Sequence, residues 1–210
     1  MTEAARPLRY VALGDSYTIG TALTSPAERW PEQLVARLAG SLELVANLGV
    51  NGYTSRDVIE RELPQLPGLA PGFASLLVGV NDVVQGVPAG TYESNIARIL
   101  DGLLARLPAG RVVAVSTPDY TVTPEGASYG DPGERAAGIR GNNAILHRLA
   151  AERAIAFVDI DDLSLQAASD RSLLAADGLH PSAAQYRLWV ERIAPVVASL
   201  LGRRPGGSAA

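Results

Sequence analysis

The stretch LRYVALGDS spans residues 8–16 and joins a largely apolar run to a glycine, an acid and a serine. A short continuous run of this kind is typical of a strand that is covered on both faces of a sheet. Similar runs recur at residues 42–48, 73–79, 111–116 and 155–160. The sequence therefore predicts five strands, the first of which ends where the glycine begins.

Amphipathic patterns separate these runs. Apolar residues at helical spacing predict helices over residues 31–38, 92–107, 139–153 and 183–201, with a further helix start at 54–57. Pro195 is expected to bend or split the last helix. Residues 117–138 show no such pattern, and a loop of that length is usually functional or mobile. Alternating strands and helices predict an α/β fold, a three-layer α/β/α sandwich around a parallel sheet.

Length and composition are those of one ordinary globular domain. The chain has 210 residues, 47% of them hydrophobic, and we interpret residues 1–201 as a single domain followed by a disordered tail at 202–210. The formal net charge of −4 gives no reason to expect binding to nucleic acid. The chain has no cysteine, which excludes disulfides, a cysteine nucleophile and thiolate metal sites.

The first residues do not have the basic and apolar segments of a signal peptide. No apolar run approaches the roughly 20 residues that a membrane-spanning helix needs. We therefore expect a cytoplasmic protein without integral membrane association. A secreted protein is the alternative if a leader preceded this sequence.

Glycine-rich or polar clusters follow the first three predicted strands, at residues 14–16, 49–52 and 79–82. A fourth cluster, DGLHP at 177–181, precedes the last helix. In an open parallel sheet, ligands bind beyond the carboxyl ends of the strands. We therefore expect the four clusters to meet at one edge of the sheet.

Ser16 is a candidate nucleophile because it lies at a strand-to-helix turn, although a serine there is also a common helix cap. A nucleophilic serine needs a base and an acid that orients the base. The chain has two histidines, and His147 lies off the apolar stripe of its helix, where a surface position is expected. His180 follows Asp177 by three residues, a spacing that lets the carboxylate orient the imidazole.

Acyl transfer also needs donors for the oxyanion that forms in the transition state. The candidates are the backbone N–H groups of Ser16 and Gly52 and the side-chain amide of Asn81. Taken singly, Gly52 has the alternative role of a turn glycine, and Asn81 that of a helix cap.

These residues resemble the SGNH hydrolase superfamily, which is also called the GDSL esterase and lipase family. Its four blocks are a GDS serine, a glycine, a GxND asparagine and a DxxH histidine. They stand here in the family's order as residues 14–16, Gly52, residues 79–82 and residues 177–180. The usual leucine after GDS is replaced by Tyr17, which is expected to shape the pocket.

The resemblance implies a flavodoxin-like five-stranded sheet with strand order 2-1-3-4-5. It also implies that Ser16 is the nucleophile, His180 the base and Asp177 the orienting acid. Ser16, Gly52 and Asn81 are then the oxyanion-hole donors. The implied function is a serine esterase that cleaves carboxylic esters through an acyl-enzyme.

Several substrates agree with that resemblance. We expect a small-molecule ester with a small to medium acyl group, and Tyr120 and Tyr129 of the 117–138 segment as pocket walls. The alternatives are a deacetylase of acetylated carbohydrates, an acyl-thioesterase and a lysophospholipase.

A ligand-binding module on a flavodoxin-like fold is the non-enzyme alternative. No phosphate-binding loop is present, and two histidines do not make a common zinc site, so we expect neither cofactor nor metal. The sequence does not indicate an oligomeric state.

Overall fold

The computed structural model describes residues 6–202 and contains a five-stranded parallel sheet. Its strands are β1 (Leu8–Gly14), β2 (Leu42–Asn47), β3 (Phe73–Leu77), β4 (Val112–Val115) and β5 (Ala156–Val158). Their order is β2-β1-β3-β4-β5, which confirms the predicted topology. The predicted tail, apart from Gly202, lies outside the described residues.

Helices cover both faces of the sheet. They are α1 (Ser16–Ile19), α2 (Trp30–Arg37), α3 (Ser55–Asp57), α4 (Leu66–Leu69), α5 (Val80–Val84), α6 (Ala89–Leu104), α7 (Pro132–Glu152), α8 (Asp161–Ser164) and α9 (Ala183–Leu200). A π-helical turn (Val58–Glu62) and a 3-10 turn (Leu63–Gln65) connect α3 to α4.

Two apolar clusters form the core, one on each side of the sheet. Alternate residues of β1 belong to different clusters: Tyr10 and Ala12 pack with α2 and α9, whereas Val11 and Leu13 pack with α6 and α7. This alternation follows from strand geometry, in which successive side chains point to opposite faces. It explains why the strands read as continuous apolar runs.

The bounds of two long helices differ from the prediction by three residues or more. Helix α6 spans Ala89–Leu104 rather than 92–107. Helix α7 begins at Pro132 rather than at 139, so the irregular segment ends at Asp131, whose side chain accepts the N–H of Glu134 as an N-cap. An N-cap acid followed by proline is a helix-start signal that the periodicity alone did not capture.

Of the two effects predicted for Pro195, a bend or a split, the split does not occur, because α9 runs through this residue as one helix. An interior proline costs about 3 kcal/mol. The apolar stripe of α9, which includes Trp189, Ile193 and Val197, is fully buried against the sheet and offsets that cost. Within residues 6–202, none of the helices combines the length and apolar character that crossing a bilayer requires.

Candidate active site

The turn that carries the candidate nucleophile Ser16, here called the nucleophile turn, lies at the end of β1. Gly14 has φ +152°, and a Cβ there would lie 2.1 Å from the carbonyl oxygen of Leu77, so only glycine fits. Asp15 is the N-cap of α1, because its Oδ1 accepts the N–H of Tyr17 at 2.9 Å. Ser16 is therefore not the cap of this helix. It is the first helical residue and lines the cavity described below.

Asp177 and His180 lie in a tight turn and are in direct contact. Asp177 Oδ2 is 2.6 Å from His180 Nδ1, and its Oδ1 accepts the N–H groups of Leu179 and His180, both at 3.0 Å. Gly178 makes the turn with φ +69°. One carboxylate thus holds both the backbone of the turn and the imidazole ring. Because Nδ1 faces the carboxylate, Nε2 is the ring nitrogen left for proton transfer.

The same contacts set the charge of Asp177. Partial burial acts to raise its pKa, but the hydrogen bonds from the His180 ring and from two backbone N–H groups outweigh it, so the pKa is lowered. Asp177 is therefore ionised at neutral pH, as an acid that orients a histidine must be.

Asn81 and its neighbour Gln85 hold the turn that contains Gly52, the other oxyanion candidate. Asn81 Nδ2 donates to the carbonyl of Tyr53 at 2.9 Å, and Gln85 Nε2 donates to the carbonyl of Gly52 at 3.0 Å. The N-cap of α5 is Gly79, so Asn81 is not the cap of this helix. Gly52 has φ +82°, which makes it a turn glycine as well as a cavity residue.

A cavity of about 240 Å³ brings the predicted site residues together. Ser16, Gly52, Asn81 and His180 all line it, and Asp177 contacts His180. The remaining lining residues are Asn51 and six with apolar or aromatic side chains, namely Tyr17, Val80, Val84, Tyr120, Tyr129 and Leu179. The Tyr120 and Tyr129 rings pack edge to face, with centroids 5.7 Å apart.

The other histidine has a different position. His147 is exposed on α7 and stacks on Phe157 with ring centroids 4.7 Å apart, which confirms its predicted surface position. Among residues 6–202, no group of three or more His, Asp or Glu side chains is arranged to hold a metal ion.

Three buried carboxyl groups behind the cavity were not anticipated as parts of the site. Asp82 accepts both the N–H and the hydroxyl of Ser55 and so joins α5 to the start of α3. Burial raises the pKa of Asp15 to about 8, against the lowering effect of the Tyr17 N–H and with a further rise from Asp82. Burial likewise raises the pKa of Glu62 to about 9. Asp15 and Asp82 stand inside the family blocks, whereas Glu62 lies in the charged run IERE and had no signal.

Comparison with known proteins identifies the family of the chain and supports its fold. The sequence model of the GDSL-like lipase/acylhydrolase family matches residues 12–188. A search of curated protein sequences gave no match. Among solved structures, the acetylxylan esterase Axe2 from Geobacillus stearothermophilus superposes with a TM-score of 0.73 at 19% identity, over 99% of this chain and 100% of its own.

Two more solved structures share the fold. LAE5, an α/β hydrolase enzyme from the metagenome of Lake Arreo, Spain, has a TM-score of 0.69 and 21% identity, over 94% of this chain and 96% of its own. A member of the lipolytic protein G-D-S-L family from Veillonella parvula has a TM-score of 0.70 and 19% identity, over 88% of this chain and 94% of its own. The family match covers most of the chain, so this protein belongs to the GDSL-like lipase/acylhydrolase family and is a carboxylic ester hydrolase.

Proposed function

We propose that the protein hydrolyses esters of small to medium acyl groups, with Ser16 as nucleophile, His180 as general base and Asp177 as orienting acid. The observation that carries this proposal is the 2.6 Å contact between Asp177 and His180 at a cavity that Ser16 also lines. This combination supplies a nucleophile, a base and an orienting acid.

The reaction proceeds in two halves. His180 Nε2 takes the hydroxyl proton as Ser16 Oγ attacks the ester carbonyl carbon, and the carbonyl electron pair moves to oxygen. The tetrahedral oxyanion collapses, and the departing alkoxide takes the proton from His180 and leaves as the alcohol. Water then attacks the acyl-enzyme with His180 again as base. The second collapse releases the acid and returns a proton to Ser16.

The N–H groups of Ser16 and Gly52 and the Asn81 amide are proposed to donate to the oxyanion in both halves. Asn81→Ala is expected to lower kcat by about 10²–10³, the usual cost of losing one such donor, with a smaller change in KM. Steady-state kinetics on p-nitrophenyl acetate measures this.

Gln85→Ala is the matched control for Asn81→Ala. Gln85 tethers the same loop through the Gly52 carbonyl but does not line the cavity. Equal losses in the two variants would show that Asn81 acts only as a tether and would remove it from the oxyanion hole.

The acyl-group size is inferred from the cavity. Its volume of about 240 Å³ is below the roughly 300–1,000 Å³ of pockets for drug-sized ligands, and its walls are largely apolar. A deacetylase of acetylated carbohydrates is the second candidate, favoured by the likeness in fold to the acetylxylan esterase over 99% of this chain. A panel of p-nitrophenyl esters from acetate to palmitate, an acyl-thioester, a lysophospholipid and acetylated xylooligosaccharides separates these candidates by kcat/KM.

Tyr129 is proposed to limit acyl length. It lines the cavity, and Arg135 anchors it by donating through Nε to its carbonyl at 2.9 Å and through Nη1 to that of Val83. We expect Tyr129→Ala to move the preferred chain length upward in the p-nitrophenyl panel. Leu165→Ala is the control, because Leu165 has a similar exposure of 39% and is not a lining residue. An unchanged preference in Tyr129→Ala would end this assignment.

A further inference from the structure

Glu62 is a fully buried carboxyl that contacts the backbone of the nucleophile turn. Its Oε2 accepts the N–H of Gly14 at 3.0 Å, across a sequence separation of 48 residues. Gly14 is the last residue of β1 and stands two positions before Ser16. The carboxyl group of Glu62 is therefore hydrogen-bonded to the peptide group at which the nucleophile turn starts.

The sheet itself leaves this N–H without an acceptor. The backbone N–H and C=O groups of Ala12 and Gly14 point to the same edge of β1, because the direction of these groups alternates from one residue to the next along a strand. The carbonyl of Ala12 accepts the N–H of Leu48, and the β1–β2 ladder ends at the pair Ala12 and Asn47. Beyond that pair β2 offers no partner, and Glu62 takes its place. A buried N–H without an acceptor would otherwise destabilise the fold.

Glu62 is the last residue of an irregular helical turn. The turn Val58–Glu62 is π-helical, closed by the N–H of Leu63 on the carbonyl of Val58, and Pro64 follows in a 3-10 turn. Glu62 is buried, whereas Glu60 and Arg61 in the same turn are exposed. Single π turns inside helices are frequent at functional sites.

Packing alone does not account for a carboxyl here. Glu62 Oε1 and Asp15 Oδ2 are both buried, and neither has a hydrogen-bond partner among residues 6–202. Burying a polar group without a partner is costly, and an apolar side chain of similar volume would avoid that cost. What the carboxyl supplies, and an apolar side chain would not, is the acceptor for Gly14.

We propose that Glu62 is a positioning residue for the nucleophile, holding the Gly14 peptide so that the following turn presents Ser16 to the ester. This inference rests on the proposed function, in which Ser16 is the nucleophile. Glu62 itself does not line the cavity, so its effect reaches the reaction through the backbone.

The charge state of Glu62 adds a second, independent readout. Burial raises its pKa from 4.5 to about 9, and the Gly14 N–H lowers it. The carboxyls of Asp15, on the nucleophile turn, and Asp57, at the end of α3, raise it further. The contribution that protonated Glu62 makes to the free energy of unfolding is therefore fully present below about pH 4.5. It is lost progressively as pH rises toward about 9, because the unfolded chain ionises first.

Two variants separate the hydrogen bond from the charge. Glu62→Leu removes the acceptor, and we expect kcat to fall about tenfold with little change in KM, as for the loss of one buried hydrogen bond. Glu62→Gln keeps an acceptor and cannot ionise. It should keep kcat within about threefold of wild type at neutral pH, and its Tm should fall less than that of wild type between about pH 5 and pH 9. Glu60→Gln, at an exposed position of the same turn, should change none of these values.

Labelling of Ser16 by a fluorophosphonate probe reports nucleophile reactivity directly and should slow in Glu62→Leu. Wild-type kcat and labelling in a folded Glu62→Leu variant would overturn the proposal, as would a loss in Glu62→Gln equal to that in Glu62→Leu. Should Glu62→Leu fail to fold, the kcat of Glu62→Gln and the pH dependence of its Tm test the proposal instead. Activity in Ser16→Ala would instead refute the proposed function, so the two failures are distinguishable.

Discussion

Replacing Ser16 with alanine is expected to lower ester hydrolysis by a factor of about 10⁴–10⁶, the usual loss when a serine nucleophile is removed. The fold should remain, because Asp15 and not Ser16 caps α1, and removing one hydroxyl leaves that cap intact. Hydrolysis of p-nitrophenyl acetate, with Tm alongside, measures both expectations.

Ser94→Ala is the control for Ser16→Ala. Ser94 is an exposed serine of α6 whose Oγ donates to the carbonyl of Gly90, away from the cavity. It should retain wild-type turnover. Turnover close to wild type in Ser16→Ala, in a preparation free of other esterases, would mean that another group attacks the ester.

Asp177→Asn is expected to cost about 10⁴ in kcat, the magnitude found when a triad acid is made neutral. The amide oxygen of asparagine can still accept the N–H groups of Leu179 and His180, so the turn survives. Its NH₂ group, however, then faces His180 Nδ1 and favours the tautomer that carries the proton on Nε2. A ring in that tautomer has no lone pair at Nε2 with which to accept the serine proton.

The matched control is Asp170→Asn. Asp170 Oδ1 also accepts a backbone N–H two residues on, from Ser172 at 3.0 Å, but it contacts no histidine. Its substitution should affect turnover little. NMR of the His180 ring nitrogens reports the tautomer directly, and an unchanged tautomer together with unchanged kcat in Asp177→Asn would remove Asp177 from the triad.

Much of the fold was predictable because its signals are local. The five apolar runs gave strand positions within two residues at each end, since a strand covered on both faces shows itself as a continuous apolar stretch. The start of α7 was missed because helical periodicity was read without the cap formed by Asp131 and Pro132. The continuity of α9 through Pro195 depends on burial against the sheet, which no local rule contains.

The candidate site, like the fold, was predictable where its signals are local in the sequence. Ser16, Gly52, Asn81, Asp177 and His180 were found because each stands in a short block, and the carboxyl ends of parallel strands meet at one edge. Tyr120 and Tyr129 were expected as walls from the length of their segment, and both line the cavity. Their influence on the choice of substrate stays a prediction.

By itself, the sequence determined the strand order implied by its family resemblance and the identity of the candidate triad. Those features depend on runs and blocks a few residues long. Only the tertiary structure decided that Asp15, not Ser16, caps α1 and that Glu62 points inward to the Gly14 peptide. The physical reason is that the Gly14 N–H finds no acceptor within the sheet, because β2 ends beside Ala12. Glu62 reaches it from the π-helical turn Val58–Glu62, and both conditions join parts of the chain distant in sequence.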